Sequence, residues 1–240
     1  MAYDETLAAG ATVADAAEEE RSAFIRRTYL HLAVAIGIFA GLEALLLGPL
    51  VDKVFPLIAW MVGGRWNWLI VLGVFMVVGW LADWWARQDT SPAMQYLGLG
   101  LYVLAETVIF LPLLYIASTY FSGNLLPTAA ILTLGLFGGL TAVVFVTRKD
   151  FSFLRTALMV GGFLAIGVII SAIMFGFNLG VIFSVAMLVL AAGYILYYTS
   201  NIMHHYNTNQ HVAAALALFA AVALMFWYII RILMELYGRE

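Results

Sequence analysis

A chain of 240 residues that is 65% hydrophobic and 10% charged, with a mean hydropathy of +1.00, carries more apolar surface than one soluble core of that length can hide. The net charge of −3 mostly describes a tail, since six of the 14 acidic residues (Asp4, Glu5, Asp15, Glu18, Glu19 and Glu20) fall in the first twenty positions. With no cysteine, the sequence excludes a disulfide framework, a thiol nucleophile and a thiolate metal site.

Residues 1–22, rich in alanine and acid with no apolar stretch, read as a disordered acidic cytoplasmic arm and not as a signal peptide. Residues 23–240 read as one all-α, polytopic transmembrane domain. A hydrocarbon core needs about 20 apolar residues per helical span. Counting such runs between polar breaks gives seven, at 29–47, 68–85, 94–117, 126–146, 154–175, 179–198 and 212–235. Lipid offers the backbone no hydrogen-bond partners, and runs of this length are too long for barrel strands, so the spans are helices.

Between the first two spans, residues 48–67 contain Pro49, Pro56 and Gly63-Gly64 around an apolar stretch, and read as an external re-entrant or surface-lying segment. Trp60, Trp66 and Trp68 there, and Trp80, Trp84 and Trp85 beside Asp83 and Arg87, suit the interfacial zone. Seven basic residues (Arg21, Arg26, Arg27, Arg87, Arg148, Lys149 and Arg155) lie on the starting side, against Lys53, Arg65, Arg231 and Arg239 on the other. The positive-inside bias predicts a cytoplasmic N-terminus. Small residues at Gly135, Gly138-Gly139, Gly161-Gly162, Gly167 and Ala191-Ala192-Gly193 predict close helix packing.

Glu106 is the sharpest single residue, because a charge near the middle of a span costs several kcal/mol unless paired, hydrated or neutralised. It is expected to face the bundle interior, either lining a water-filled path or hydrogen-bonded as glue. Its partners are expected on other helices, from hydroxyls such as Thr133, Thr141 or Ser171, a tyrosine, or water. Glu43 and Arg231 share a depth near the outer ends of spans one and seven, which allows either an ion pair or two charges reaching separately to the interface. His204, His205 and His211, among Asn201, Asn207 and Asn209, form a solvated inner turn of mild pH-dependent charge. They lack the i, i+4 spacing and the neighbouring carboxylate that a metal motif uses, so no metal or cofactor is expected. His31 reads as an interfacial residue. No His-Glu-x-x-His, Gly-x-Ser-x-Gly or Walker loop occurs, so no enzyme is expected; the basic residues serve topology, so no nucleic acid is expected either.

The stretch Gly193-Tyr194-Ile195-Leu196-Tyr197-Tyr198-Thr199-Ser200, followed by Ala215-Leu216-x-Leu218-Phe219 and Phe226-x-Tyr228-x-x-Arg231, resembles the closing signature of the Bax inhibitor motif family. The run from Gly139 to Leu154, with its Thr147-Arg148-Lys149-Asp150-Phe151-Ser152-Phe153, is similar to that family's middle signature, and Arg26-Arg27-Thr28-Tyr29 and Ala105-Glu106-Thr107 fit as well. The resemblance implies a seven-helix bundle with the last helix central, in a bacterial inner membrane. It also implies either a pH-sensitive calcium leak or, as in some relatives, a protein that restrains a membrane-anchored AAA protease. In the leak members a pair of aspartates on helices six and seven latches the pore, and the positions that align with them here are Tyr198 and Ala221. A phenol titrates near pH 10 and alanine not at all, so that latch is missing. Tyr198 reads either as an interfacial aromatic or as a hydrogen-bonding closure of the inner end.

Two functions stay open. One is a leak for calcium or another cation, with Glu106 in the path and no di-aspartate sensor. The other is a non-transporting regulator that binds another membrane protein, such as a membrane-anchored AAA protease.

Overall fold

The structure, a computed structural model, describes residues 12–88, 91–121 and 123–238. Its helices are α1 (Glu18–Leu47), α2 (Val51–Val62), α3 (Arg65–Ala86), α4 (Pro92–Tyr120), α5 (Leu125–Thr147), α6 (Leu154–Phe175), α7 (Gly180–His204) and α8 (His211–Tyr237). All except α2 are long and apolar enough to cross a membrane, which gives the expected seven. With an odd number of spans the two ends of the chain lie on opposite faces, called here the near face, where α1 begins, and the far face, where α8 ends.

Local chemistry sets the breaks. Gly48-Pro49 follows the last turn of α1, and Gly63-Gly64 separates α2 from α3. Ser91 caps α4 ahead of Pro92, where a missing N–H costs nothing. Gly176 ends α6 in the left-handed conformation, with φ of 74°. Helix α1 begins at Glu18, well before the expected residue 29. Its first turn carries Glu18, Glu19 and Glu20, acids that favour a helix N-terminus.

The expected disordered arm over 1–22 lies outside the described residues as far as 11, but its remainder is ordered. Thr12 bridges to Asn207 in the α7–α8 turn, the Val13 N–H donates to the Tyr206 carbonyl at 2.9 Å, and the Val13 side chain is completely buried. Arg21 secures the segment by donating from Nε to the Val13 carbonyl at 2.9 Å and from Nη2 to the Ala14 carbonyl at 2.6 Å. Composition marks this stretch as polar, but one valine and one arginine suffice to fix it.

The segment expected to be re-entrant or surface-lying forms the short helix α2, which turns Ile58 and Met61 inward and leaves Phe55, Trp60 and Val62 exposed. Trp66 is exposed, as an interfacial indole should be. Trp68 is not: it stacks on Trp227 inside the bundle, with ring centroids 6.4 Å apart.

Helix α8 is central, with α1, α3, α4, α5 and α7 against it. Seven of its residues are alanine, which lets neighbouring backbones come close from all sides. Phe110 of α4 fills the middle of the bundle, edge-on to Phe39 at 5.1 Å and Trp227 at 5.0 Å, and stacked on Phe226 at 5.9 Å. The expectation of glycine-mediated packing holds on α6 and α7. A Cβ on Gly162 would lie 2.8 Å from the Tyr194 hydroxyl, and one on Gly193 would lie 2.8 Å from Leu158 Cδ2. It fails at Gly135, Gly138, Gly139 and Gly167, where nothing comes within 4 Å. The closest crossing was not anticipated: a Cβ on Gly98 would sit 2.5 Å from the Ala82 carbonyl, at the α3–α4 contact.

Candidate functional site

Helix α6 leans on α7 and touches α3 only sparsely, so a space remains between α6 and the central α8. This cavity, of about 580 Å³, is walled by α3, α4, α6, α7 and α8. Helix directions place Trp68, Asn178 and Arg231 at its far-face end, and Tyr102, Tyr194, Tyr198 and Ala220 at its deepest point.

Glu106 lines the cavity at mid-height of α4 and is 5% exposed, so it faces the bundle interior and not lipid. The polar side chain beside it is Tyr102, one turn earlier on the same helix, and not one of the hydroxyls expected from a neighbouring helix. The hydroxyls expected to serve it are committed elsewhere or distant. Thr133 donates to the Ala129 carbonyl and Ser171 to the Gly167 carbonyl, each at 2.7 Å on its own helix. Thr141 lies beside Tyr29. A tyrosine four residues before a glutamate always shares its helix face, so this pairing was legible in the sequence.

The floor of the cavity is aromatic. Tyr198 stacks on Tyr194 at 5.8 Å with 13° between the rings, and the Tyr194 hydroxyl donates to the Leu158 carbonyl at 2.9 Å, pinning α6 to α7. Ala221 lines the same cavity, so Tyr198 and Ala221, the positions expected to align with the family's aspartates, face one space. Beyond the floor, towards the near face, come the Asp83–Arg87 ion pair at 2.8 Å and the buried Tyr206. Burial pushes the Tyr206 phenol up to about 12, against the opposing pull of Arg87.

Glu43 and Arg231 do not form a pair. Arg231 lies on the cavity side of α8, whereas α1 contributes no wall residue. Nor does Glu43 reach the interface: it is 6% exposed, and neither carboxyl oxygen has a hydrogen-bond partner among the described residues.

On the near face, the turn expected to be merely solvated is structured by a carboxylate the sequence reading did not connect to it. Asp150, in the α5–α6 loop, accepts from the Ser152 N–H at 2.8 Å and from the Ser200 hydroxyl at 3.2 Å, and meets His205 Nε2 at 3.0 Å. The Phe151 N–H donates to Ser200 Oγ at 2.8 Å. Burial alone would raise the Asp150 carboxyl, but the Ser152 and His205 bonds outweigh it and hold the group at about 2. His31 is less interfacial than expected, hydrogen-bonding Tyr96 at 3.2 Å and packing on His211 at 5.0 Å. Among the described residues no three His, Asp or Glu side chains converge on a metal-sized site.

The Asp150–Ser200 contact joins the two signature stretches, Thr147–Leu154 and Gly193–Ser200, and the sequence as a whole bears the same stamp. The family model for "Inhibitor of apoptosis-promoting Bax1" matches residues 21–237. The chain belongs to the Bax inhibitor family. It is 28% identical over 232 residues to Bax inhibitor 1 of Schizosaccharomyces pombe, covering 92% of this chain and 79% of that protein. It is 24% identical over 225 residues to protein lifeguard 4 of Mus musculus, covering 93% and 90%. A BI1-like protein of Arabidopsis thaliana is 33% identical over 120 residues, about half of each chain. This Bax inhibitor family protein is therefore a multi-pass membrane protein whose shared signatures meet at the near face.

Proposed function

We propose that this Bax inhibitor family protein is a cation leak, for calcium by family likeness, whose path runs through the cavity and past Glu106. The observation that carries this reading is a buried carboxyl on the wall of a cavity that reaches from the far face to a tyrosine floor. A carboxyl at that depth attracts a cation only where water or protein oxygens replace part of its hydration shell, and Tyr102 and Tyr198 supply such oxygens. The described form is closed toward the near face by Tyr198, so conduction requires that ring to move. Without an acid pair at Tyr198 and Ala221, the response of the leak to pH between 5 and 8 is expected to be weak. The N-terminus is cytoplasmic and the membrane a bacterial inner membrane in this reading.

The test is calcium entry into dye-loaded liposomes with and without the protein. Glu106→Gln keeps the shape of the side chain but removes its charge, and is expected to lower flux on the order of tenfold while leaving the helical fold intact. Tyr198→Ala is expected to raise it. Wild-type liposomes no leakier than empty ones would refute the reading.

A second reading, a regulator that docks on another membrane protein such as a membrane-anchored AAA protease, is favoured by one observation: a Cβ on Gly135, Gly138 or Gly139 of α5 would meet nothing within 4 Å among the described residues. Specific co-purification of such a protease, lost on Gly138→Leu, would support it.

A further inference from the structure

The cavity has a second property that the leak reading does not use: it opens sideways. Met76, at mid-height of α3, lines the cavity and is nevertheless 46% exposed, so the wall between α3 and α6 is incomplete at the depth of the hydrocarbon core. Most of the remaining wall is apolar, including Leu72, Phe75, Ile169 and Leu224. A space with such walls, continuous with acyl chains, is filled by hydrocarbon more readily than by water.

The far-face end is different. Arg231 and Asn178 stand there on the cavity rim, and a second cavity of about 430 Å³ adjoins it, sharing Trp68, Phe177 and Asn178 and adding Arg65. Arg65 donates one guanidinium N–H to the Met174 carbonyl at 3.1 Å, which holds it at the rim with donors to spare. An acid, Glu235, also stands at the far-face end of α8, where its Oε1 would lie 3.9 Å from a Cβ on Gly180. Two guanidinium groups at headgroup depth above an apolar slot match an anionic headgroup above an acyl chain.

We infer that the cavity is a binding site for an anionic phospholipid of the far-face leaflet, with one acyl chain entering past Met76 towards Glu106 and the phosphate held between Arg65 and Arg231. The chain occupies the space an ion would use, so bound lipid acts as a plug. The site itself does not depend on the leak being real, because it rests on shape, portal and charge.

The experiment is native mass spectrometry of the intact protein in detergent, titrated with phosphatidylglycerol or with phosphatidylcholine of the same acyl chains. One retained phosphatidylglycerol is expected, preferred over phosphatidylcholine. Arg231→Gln should lower that preference about fivefold, the effect of one basic group at a membrane surface, and Arg231→Lys should keep most of it. Ile169→Trp, which fills the slot, should abolish retention of both lipids. Circular dichroism establishes that each variant remains helical, and Met76→Trp, which narrows the portal at an exposed position, repeats the test should Ile169→Trp lose its helical signal. Inorganic phosphate and glycerol phosphate should displace nothing, because they lack the chain. Retention unaffected by the slot-filling variants would mean that lipid only coats the outer surface, and displacement by inorganic phosphate would mean a bare anion site; either result overturns the inference. Flux measured in parallel decides the leak separately.

Discussion

Helices α6 and α8 are almost equally apolar, yet 78% of the most apolar stretch of α8 is buried inside the protein and only 17% of that of α6. In lipid, apolarity does not choose the core, because hydrocarbon solvates leucine as well as a protein interior does. Side-chain size chooses it. The alanines of α8 allow five helices to approach, whereas α6 offers Phe163, Leu164 and Phe175 to the bilayer and docks chiefly on α7, through the seam of Leu158, Gly161 and Gly162. The cavity is the by-product, since a helix held by one narrow seam cannot also close on the centre.

The largest test of that contrast is steric. Ala214→Leu, at a position with no exposure, is expected to destabilise the bundle by about 3 kcal/mol, read as a lower melting temperature in detergent. Ala157→Leu, on the exposed side of α6, should change it by less than about 0.5 kcal/mol. Equal costs would break the comparison. Next comes the cover on the near-face end of α8. Val13→Asp puts an unpaired charge where no solvent reaches, and should release residues 12–16 at a cost of about 2 kcal/mol. Trypsin would then cut at Arg21 on the order of tenfold faster, while the spans stay protected.

A smaller effect is expected where α6 is pinned. Tyr194→Phe removes the bond to the Leu158 carbonyl and should cost about 1 kcal/mol, with faster hydrogen exchange confined to α6 and its contact with α7. Smallest is the near-face clasp. Asp150 is held below its ordinary value of 3.8, so the stability it contributes is fully present above that pH and is lost as pH falls towards about 2. Because its side chain is 44% exposed, the effect should stay under about 1 kcal/mol. An acid titration of the melting temperature should show this component in the wild type and not in Asp150→Asn.

The number of spans, the short segment between the first two and the inward aim of Glu106 were all legible, because each follows from a desolvation cost that one stretch of sequence must meet by itself. The Tyr102–Glu106 contact was equally local and needed only helical spacing. What could not be read depends on which faces meet. Asp150 and His205 are 55 positions apart and touch only because α6 and α7 form a hairpin. Glu43 and Arg231 have matching depths but different azimuths, and depth is all that a hydropathy count provides. The glycines divide the same way: Gly162 and Gly193 look no different in sequence from Gly138, yet the first two lie in a helix seam and the third does not. Composition hid Val13 altogether, since a single buried side chain hardly changes the character of an acidic segment.

The central position of α8 also has a consequence for how the protein is made. A ribosome delivers α1 to α7 first, and each can settle in the membrane as an independent helix. Until the final span arrives, those helices surround an axis that has not yet been synthesised, and their inward faces, Glu106 among them, have only lipid, water or one another for company. Assembly of this bundle is therefore a closing step and not a progressive accretion. Interrupting translation before His211 would leave local pairs such as α3–α4 and α6–α7 without the helix that joins them, a natural substrate for membrane quality control.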